Sequence, residues 1–372
     1  MHPKKIIITG GHVTPALAVI DFIKRTHPDT EIVFVGRKYN NNRENTESFE
    51  YKEIRRRSIK FHHLVTGRLT RSISLQTITN LFTIPWGFAQ AWQLLHSEKP
   101  DMILSFGGYL AVPVALVASW VGVPVYTHEQ TIHPGLANQK IAGIAATIFI
   151  SFPESANFFP KGKTVLTGNP IRESVFQTKK NVSVPSGLPC IYVTGGSLGA
   201  HAINVHIEHI IRDLVSSYVI IHQTGNISEY NDYEHLNRIR STLPKDQQER
   251  YIIKTHIEDD EIGAIFQLCD LVVSRAGANT FFELIALKKP AVLIPLPLAA
   301  FDEQRKHAHI LSEAGAAEIF EQDRPSNDLA RTISKILTNR ETYERAYQNL
   351  TKTYGTEATR RIVEELFPKS SI

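Results

Sequence analysis

The sequence predicts an α/β protein of two domains, each built on a parallel sheet with helices on both faces. Three observations support this fold class. Short apolar runs alternate with helical stretches along the chain, glycine-rich turns follow several of these runs, and a breaker-rich stretch separates two such series. At about 150 residues per domain, a chain of 372 residues is also long enough for two cores.

The first half of the chain alternates strand and helix from its start. Apolar runs predict strands at 6–9, 31–36, 61–65, 102–106 and 124–128. Helical spacing predicts helices at 15–26, 81–97 and 112–121, and Pro85 is expected to break the second of these. Because strands that alternate with helices are joined by crossovers, we expect a parallel sheet.

A domain boundary is expected between Phe158 and Pro189, where proline and glycine are concentrated. We therefore assign residues 1–165 to an N-terminal domain and 166–345 to a C-terminal domain. A last helical stretch, 356–367, is a candidate for packing back on the N-terminal domain. In the second half, strands are predicted at 190–193, 219–223, 251–254, 271–274 and 291–295.

The composition is that of an ordinary folded protein, with 42% hydrophobic and 21% charged residues. A net charge of +4 is too small to indicate nucleic-acid binding by itself. Cys190 and Cys269 lie in apolar runs, which favours buried free thiols over a disulfide or a metal site. No signal peptide is expected, and the most apolar stretch, 110–126, is shorter than the roughly 20 residues that span a bilayer.

Glycine-rich turns between strand and helix indicate where a ligand binds. They occur at Gly10-Gly11, Gly107-Gly108, Gly195-Gly196 and Ala276-Gly277. In a parallel sheet such turns lie at the carboxyl ends of the strands, where ligands bind and where helix N-termini attract anions. One turn alone is weak evidence, but four spread over both halves favour a ligand between two domains. None matches the dinucleotide or P-loop fingerprint.

Polar residues close to these turns are candidate sugar-nucleotide contacts. Glu283 lies about one turn into a predicted helix and could accept hydrogen bonds from a ribose diol. It could instead only complement the helix dipole. The sequence 274–283 by itself favours neither interpretation. Gln304 follows a proline-rich strand end and could meet sugar hydroxyls, with a solvated loop as the default alternative. Arg172 could bring a guanidinium to the same cleft, although an exposed turn arginine is commoner.

Histidines are numerous, at sixteen, but no H-E-x-x-H motif occurs and we expect no metal site. His12 differs from the others because it directly follows the first Gly-Gly turn. With an ordinary pKa near 6.5, an imidazole there could act as general base on an acceptor hydroxyl.

A basic run precedes an apolar, aromatic stretch within residues 55–86. Such a pattern fits docking on an anionic membrane surface, although spacing alone favours a solvated charge run beside a core helix. The basic residues are Arg55, Arg56, Arg57, Lys60, Arg68 and Arg71, and the candidate docking residues are Leu75, Ile78, Phe82 and Trp86.

Taken in order, these motifs are similar to those of the MurG family, the bacterial N-acetylglucosaminyltransferases of peptidoglycan synthesis. The resemblance implies a glycosyltransferase-B fold with two Rossmann-like domains facing a cleft. It is carried by T-G-G-H-V-T-P-A-L-A (9–18), F-G-G-Y-L-A-V-P (106–113), H-E-Q-T-I-H-P-G-L-A-N (128–138), G-N-P-I-R (168–172), G-G-S-L-G-A (195–200), S-R-A-G-A-N-T-F-F-E-L (274–284), I-P-L-P (294–297) and D-E-Q (302–304).

The resemblance implies metal- and cofactor-independent transfer of GlcNAc from UDP-GlcNAc, with inversion, to the muramoyl 4-hydroxyl of lipid I, giving lipid II. It implies a peripheral protein on the cytoplasmic face of the membrane, with residues 55–86 as the docking region and no nucleic-acid partner. His12 would be the candidate base, and Tyr109 and Glu129 would line the acceptor side. UDP-GlcNAc contacts are implied for Thr9, Gly10, Gly11, Thr131, Arg172, Ser197, Ile257, Ala278, Asn279, Thr280, Phe281, Phe282, Glu283 and Gln304.

Two positions depart from the family pattern. The first loop of the family usually reads G-G-T-G-G-H, whereas here the strand runs directly into Thr9–His12. Thr131 stands where the family has Asn. The alternatives are therefore a related glycosyltransferase with another UDP-sugar or lipid-linked acceptor and, ranked lower because His12 is present, a non-catalytic sugar-nucleotide-binding protein.

Overall fold

The computed structural model describes residues 3–41, 44–67, 75–196, 198–227 and 229–368, without the side chains of residues 40, 41, 44, 45 and 75–82. The chain divides into two compact units. The N-terminal unit comprises residues 1–171 and 357–372, and the C-terminal unit residues 172–356.

The N-terminal unit is built on a parallel sheet of strand order β5-β2-β1-β6-β7-β8-β9, and β3 and β4 form a separate antiparallel pair. Its strands are β1 (Lys5–Thr9), β2 (Glu31–Gly36), β3 (Tyr39–Asn41), β4 (Glu44–Glu47), β5 (Lys60–His63), β6 (Met102–Ser105), β7 (Val125–Glu129), β8 (Thr147–Ile150) and β9 (Thr164–Leu166). Its helices are α1 (Val13–Thr26), α2 (Phe49–Arg56), α3 (Leu75–Glu98), α4 (Ala111–Trp120) and α5 (Leu136–Ala142), with a 3-10 helix at Pro153–Phe158.

Both faces of this sheet are covered, which explains why its central strands are continuous apolar runs. On β1, Ile6 and Ile8 belong to the core on one face, and Ile7 belongs to the core on the other. The prediction that Pro85 breaks the helix is wrong, because α3 runs unbroken through it. Proline removes one backbone hydrogen bond there, and packing of α3 against α4 compensates.

The C-terminal unit repeats this architecture with a parallel sheet of order β12-β11-β10-β13-β14-β15. Its strands are β10 (Cys190–Thr194), β11 (Val219–Gln223), β12 (Tyr251–Lys254), β13 (Leu271–Ser274), β14 (Ala291–Leu293) and β15 (Ala317–Ile319). Its helices are α6 (His201–Ser217), α7 (Asp232–Ser241), α8 (Lys245–Arg250), α9 (Ile262–Leu268), α10 (Ala278–Leu287), α11 (Glu303–Glu313), α12 (Ser326–Thr338) and α13 (Arg340–Tyr354), with 3-10 helices at Glu173–Val175 and Ala300–Asp302.

The last helix among the described residues, α14 (Ala358–Leu366), packs on α1 in the N-terminal unit. Ile362 and Leu366 enter the same core as Ile6 and Ile8. The ring of Phe367 stacks on His27 with their centroids 3.9 Å apart. Within the described ranges, no helix is both long and apolar enough to cross a membrane.

Candidate active site

The first glycine turn of the N-terminal unit interlocks with the turn after the neighbouring strand β6. A Cβ on Gly11 would lie 2.4 Å from the carbonyl group of Gly107, so only glycine fits. The backbone N–H of His12 donates to the carbonyl of Phe106 at 3.2 Å. The loop Thr9–His12 and the turn Gly107-Gly108 are therefore adjacent at the carboxyl edge of the sheet, as ligand binding at that edge requires.

His12, the last residue of this loop, lies close enough to His128 to affect its pKa. Burial lowers the pKa of His12 to about 4. Burial also lowers the pKa of the fully enclosed His128 to about 3, and His12 contributes to that shift. The Nε2 atom of His128 lies 3.2 Å from the carbonyl oxygen of Gly168 and 3.2 Å from the hydroxyl of Ser151. Both imidazoles are therefore neutral near pH 7, and a neutral imidazole can accept a proton.

Glu129, at the end of β7, organises the loop that follows it. The carboxylate is almost fully buried and accepts hydrogen bonds from Thr131 N at 3.0 Å, Thr131 Oγ1 at 2.7 Å, Gly135 N at 3.1 Å and Asn138 Nδ2 at 2.9 Å. Burial raises the pKa of Glu129, and these hydrogen bonds oppose that shift. The hydroxyl of Thr131 therefore stabilises the loop by its hydrogen bond to Glu129.

Tyr109 lies at the same edge with two residues that the sequence did not single out. The guanidinium of Arg37 stands over the Tyr109 ring, 5.9 Å from its centroid. The backbone N–H of Arg37 donates to Oε1 of Glu50. The other oxygen of this carboxylate, Oε2, lies 2.7 Å from the position of a Cβ built on Gly10. No motif marks Glu50, because its placement depends on how α2 packs.

The glycine turn after β10 also packs closely against the end of a neighbouring strand. A Cβ on Gly199 would lie 2.1 Å from the carbonyl oxygen of Thr224, which follows the neighbouring strand β11. The backbone N–H of Gly196 donates to the hydroxyl of Thr194 at 3.0 Å. Ser197, one of the implied UDP-GlcNAc contacts, lies outside the described residues.

Arg172 and Glu283 are brought together in the C-terminal unit. One guanidinium nitrogen of Arg172 lies 3.7 Å from Oε1 of Glu283, and another donates to Asp259. Burial raises the pKa of Glu283, while Arg172 opposes that shift. Among the described residues, Nε of Arg172 is buried without a hydrogen-bond partner. The guanidinium thus has unused hydrogen-bonding capacity beside a carboxylate.

The start of α10 supplies backbone donors beside this pair. The first residues of a helix have N–H groups without intrahelical partners, and here these include Ala278 and Thr280. Phe281 and Phe282 are each 1% exposed, so their side chains belong to the core. The side chain of Ile257 is also buried, at 5% exposure. These three residues can reach a ligand only through their backbone.

Arg275 joins the S-R-A-G turn to the I-P-L-P segment. Its guanidinium donates to the carbonyls of Ile294 and Pro295 at 3.0 and 3.1 Å, a role that the sequence did not reveal. In the I-P-L-P segment, the backbone N–H of Leu296 donates to Oε1 of Gln304 at 2.9 Å. This contact orients the amide of Gln304 and leaves its NH₂ group as a donor.

The predicted docking region is only partly covered by the described residues. The side chains of Leu75, Ile78 and Phe82 lie outside them, as do Arg68 and Arg71. Trp86 is 63% exposed, and the other two tryptophans of the chain, Trp92 and Trp120, are 48% and 65% exposed. In the basic run, Arg57 is held by Asp21 and Glu53, whereas Arg55 is 71% exposed in its side chain.

Comparisons with known proteins agree across the whole chain. The glycosyltransferase family 28 N-terminal domain matches residues 7–150, and the C-terminal domain of that family matches residues 190–366. A UDP-N-acetylglucosamine--N-acetylmuramyl-(pentapeptide) pyrophosphoryl-undecaprenol N-acetylglucosamine transferase of Natranaerobius thermophilus is 33% identical, over 96% of this chain and 97% of its own. The protein of the same name from Trichlorobacter lovleyi is 30% identical, over 96% and 95%.

Solved structures of glycosyltransferases also superpose on nearly the whole chain. MurG of Acinetobacter baumannii superposes with a TM-score of 0.70 at 25% identity, covering 98% of this chain and 99% of its own. The calicheamicin glycosyltransferase CalG4 superposes with a TM-score of 0.67 over 100% of both chains. At 12% identity, this second likeness concerns the fold alone.

Proposed function

This chain belongs to glycosyltransferase family 28 and, within it, to the N-acetylglucosaminyltransferases of peptidoglycan synthesis, and from that premise we propose its full reaction. It is a hexosyltransferase with the glycosyltransferase-B fold. The proposed reaction transfers GlcNAc from UDP-GlcNAc, with inversion, to the muramoyl 4-hydroxyl of an undecaprenyl-diphospho-muramoyl peptide, lipid I. The product is lipid II.

The observation that carries this proposal is the pairing of Arg172 with Glu283 beside the start of α10. In the proposed complex, the Glu283 carboxylate accepts hydrogen bonds from the two ribose hydroxyls. The backbone of Ile257 meets the uracil, and the amide of Gln304 donates to a sugar hydroxyl. Each contact uses a group that the C-terminal unit already holds in place.

Departure of UDP requires stabilisation of negative charge on the diphosphate. The N–H groups of Ala278 and Thr280 at the start of α10 are suited to that task, because helix N-termini attract anions. The guanidinium of Arg172 adds a full positive charge. We therefore propose that these groups of the protein, rather than a divalent cation, stabilise the leaving group.

Inversion requires one direct displacement at the anomeric carbon. In the proposed mechanism, neutral His12 takes the proton of the acceptor hydroxyl while the hydroxyl oxygen attacks the anomeric carbon. The bond from that carbon to UDP breaks on the opposite face. Glu129 acts by positioning, because its carboxylate is used by Thr131, Gly135 and Asn138. Tyr109 and the loop beyond Glu129 would then contact the acceptor.

A lipid-linked acceptor is reached from the membrane surface. The exposed tryptophans Trp86, Trp92 and Trp120 support peripheral docking, because indole rings favour the interface between lipid and water. Exposed basic side chains such as Arg55 would add attraction to anionic lipid. We assign this surface to the cytoplasmic leaflet, where UDP-GlcNAc is available.

The proposal is tested by incubating the purified protein with UDP-GlcNAc and lipid I in the presence of EDTA. We expect a disaccharide lipid, with the β configuration of an inverted linkage by NMR. If UDP-GlcNAc binds but no disaccharide lipid forms, the lipid I assignment is refuted. A panel of other UDP-sugars and lipid-linked acceptors then identifies the related transferase activity. Turnover that depends on added metal would contradict the proposed stabilisation of UDP.

A further inference from the structure

Glu50, in the N-terminal unit, has no role in the proposed function. It is the second residue of α2, and the start of this helix is fixed to the chain just after β2. Ser48 caps the helix by accepting from Tyr51 N at 3.2 Å, and its own N–H donates to the carbonyl of Lys38 at 2.8 Å. This anchoring carries the Glu50 side chain to the carboxyl edge of the sheet.

Two glycines make room for the Glu50 carboxylate. A Cβ on Gly36 would lie 2.9 Å from Oε1, and a Cβ on Gly10 would lie 2.7 Å from Oε2. Gly36 ends β2, and Gly10 follows the adjacent strand β1. The carboxylate therefore lies against the ends of two neighbouring strands, at the edge where parallel sheets bind ligands.

The two oxygens of this carboxylate differ in their partners. Oε1 accepts from the backbone N–H of Arg37. Within the described part of the chain, Oε2 has no hydrogen-bond donor. Burial raises the pKa of Glu50, with the Arg37 contact opposing it. Because Glu50 is only half-buried, Oε2 is available to a ligand that brings a hydrogen-bond donor.

The surroundings indicate which substrate supplies that donor. The guanidinium of Arg37, whose backbone contacts Glu50, lies over the ring of Tyr109, the residue proposed to contact the acceptor. Gly10 belongs to the loop that carries His12, the proposed base. We propose that Glu50 is a specificity-determining residue for the acceptor, with Oε2 accepting a hydrogen bond from a hydroxyl or amide N–H group of the acceptor sugar. This inference rests on the proposed function.

The test compares Glu50→Gln with wild-type protein and with Glu47→Gln, a matched control that removes a nearby carboxylate from β4. Glutamine keeps an oxygen for Arg37 N–H but replaces the free acceptor by a donor. We expect the KM for lipid I to rise about tenfold or more, as expected for loss of a hydrogen bond to a charged group. The kcat at saturating acceptor and the calorimetric affinity for UDP-GlcNAc should be unchanged, and Glu47→Gln should behave as wild type.

The outcomes separate this inference from the proposed function. Absence of turnover by the wild-type protein overturns both. Wild-type turnover with an unchanged KM for Glu50→Gln, or with a loss of kcat or donor affinity instead, overturns the role of Glu50 alone. If Glu50→Gln does not fold, carbodiimide labelling of the wild-type protein provides the test. Lipid I should protect Glu50 and not Glu47, and equal labelling of Glu50 with and without lipid I refutes the proposal.

Discussion

The guanidinium of Arg172 lies 3.7 Å from the carboxylate of Glu283, although 111 positions separate the two residues in the sequence. The same guanidinium also contacts Asp259. The loop before the first helical segment of the C-terminal unit, the loop after β12 and the first turns of α10 therefore meet at one point. Removing Glu283 leaves Arg172 with Asp259 as its partner, so the proposed ribose-binding carboxylate can be removed without leaving an isolated charge.

We expect Glu283→Ala to weaken UDP-GlcNAc binding by about 2 to 4 kcal/mol, because two hydrogen bonds to a charged group are lost. Isothermal calorimetry measures this directly. Glu321→Ala serves as the control, since Glu321 forms an ion pair with Arg305 at the surface of the same unit and such pairs contribute little. Equal donor affinity in wild type and Glu283→Ala would refute the ribose contact.

Stability should fall in acid because burial lowers the pKa of histidines in both units, among them His128 and His222. Burial lowers the pKa of His128 and of His222 to about 3, against about 6.5 in an unfolded chain. The unfolded state binds protons that these rings do not, so the stability they contribute is complete above about pH 6.5 and is lost as the pH falls toward 3.

Urea unfolding between pH 7 and pH 5 measures this loss. The slope from each of the two histidines should increase as the pH falls below about 6.5 and approach about 1.4 kcal/mol per pH unit near pH 5. Replacing His222 by Gln should remove its share of the slope, whereas replacing the exposed His209 by Gln should not change it. The same slope in wild type and His222→Gln would show that folding does not lower the pKa of His222.

Gly11→Ala should disrupt the interlocked turns of the N-terminal unit. The new methyl group would lie 2.4 Å from backbone atoms of Gly107, which cannot move without displacing β6. We expect a loss of about 1 to 3 kcal/mol in stability, as for other overpacked sites, and a larger relative loss of activity. Gly143→Ala is the control, because nothing lies within 4 Å of a Cβ there. A wild-type melting temperature for Gly11→Ala would contradict the close packing.

The sheets were the part of the fold that could be predicted most accurately. The predicted strands at 31–36, 219–223, 251–254 and 271–274 have the same bounds in the structure. These strands are apolar runs bounded by polar or breaker residues, and the burial of parallel strands on both faces imposes that pattern. Pro85 was misjudged because its effect depends on the packing of α3, which local sequence does not contain.

The candidate site could be predicted only where a motif marks the residue. His12, Arg172 and Glu283 were identified in this way, and their individual roles remain proposals. Glu50 and Arg275 were missed because their functions depend on contacts made after folding. Glu50 reaches Gly10 through the anchoring of α2, and Arg275 reaches the carbonyls of Ile294 and Pro295 from a neighbouring strand end.

The exposed tryptophans should contribute to membrane binding. Trp86 and Trp120 are 63% and 65% exposed, and inserting about half of an indole ring into the interface stabilises binding by roughly 2 kcal/mol. We expect Trp86→Ser and Trp120→Ser each to weaken sedimentation with phosphatidylglycerol-containing vesicles by about tenfold or more. Activity on a short-chain, water-soluble acceptor should stay at the wild-type level, because neither residue lies in the proposed site.

Phe176→Ser, which removes an exposed aromatic ring from the C-terminal unit, is the control and should bind vesicles as wild type does. Equal loss of vesicle binding and of soluble activity would instead show that the tryptophans support the fold of the N-terminal unit.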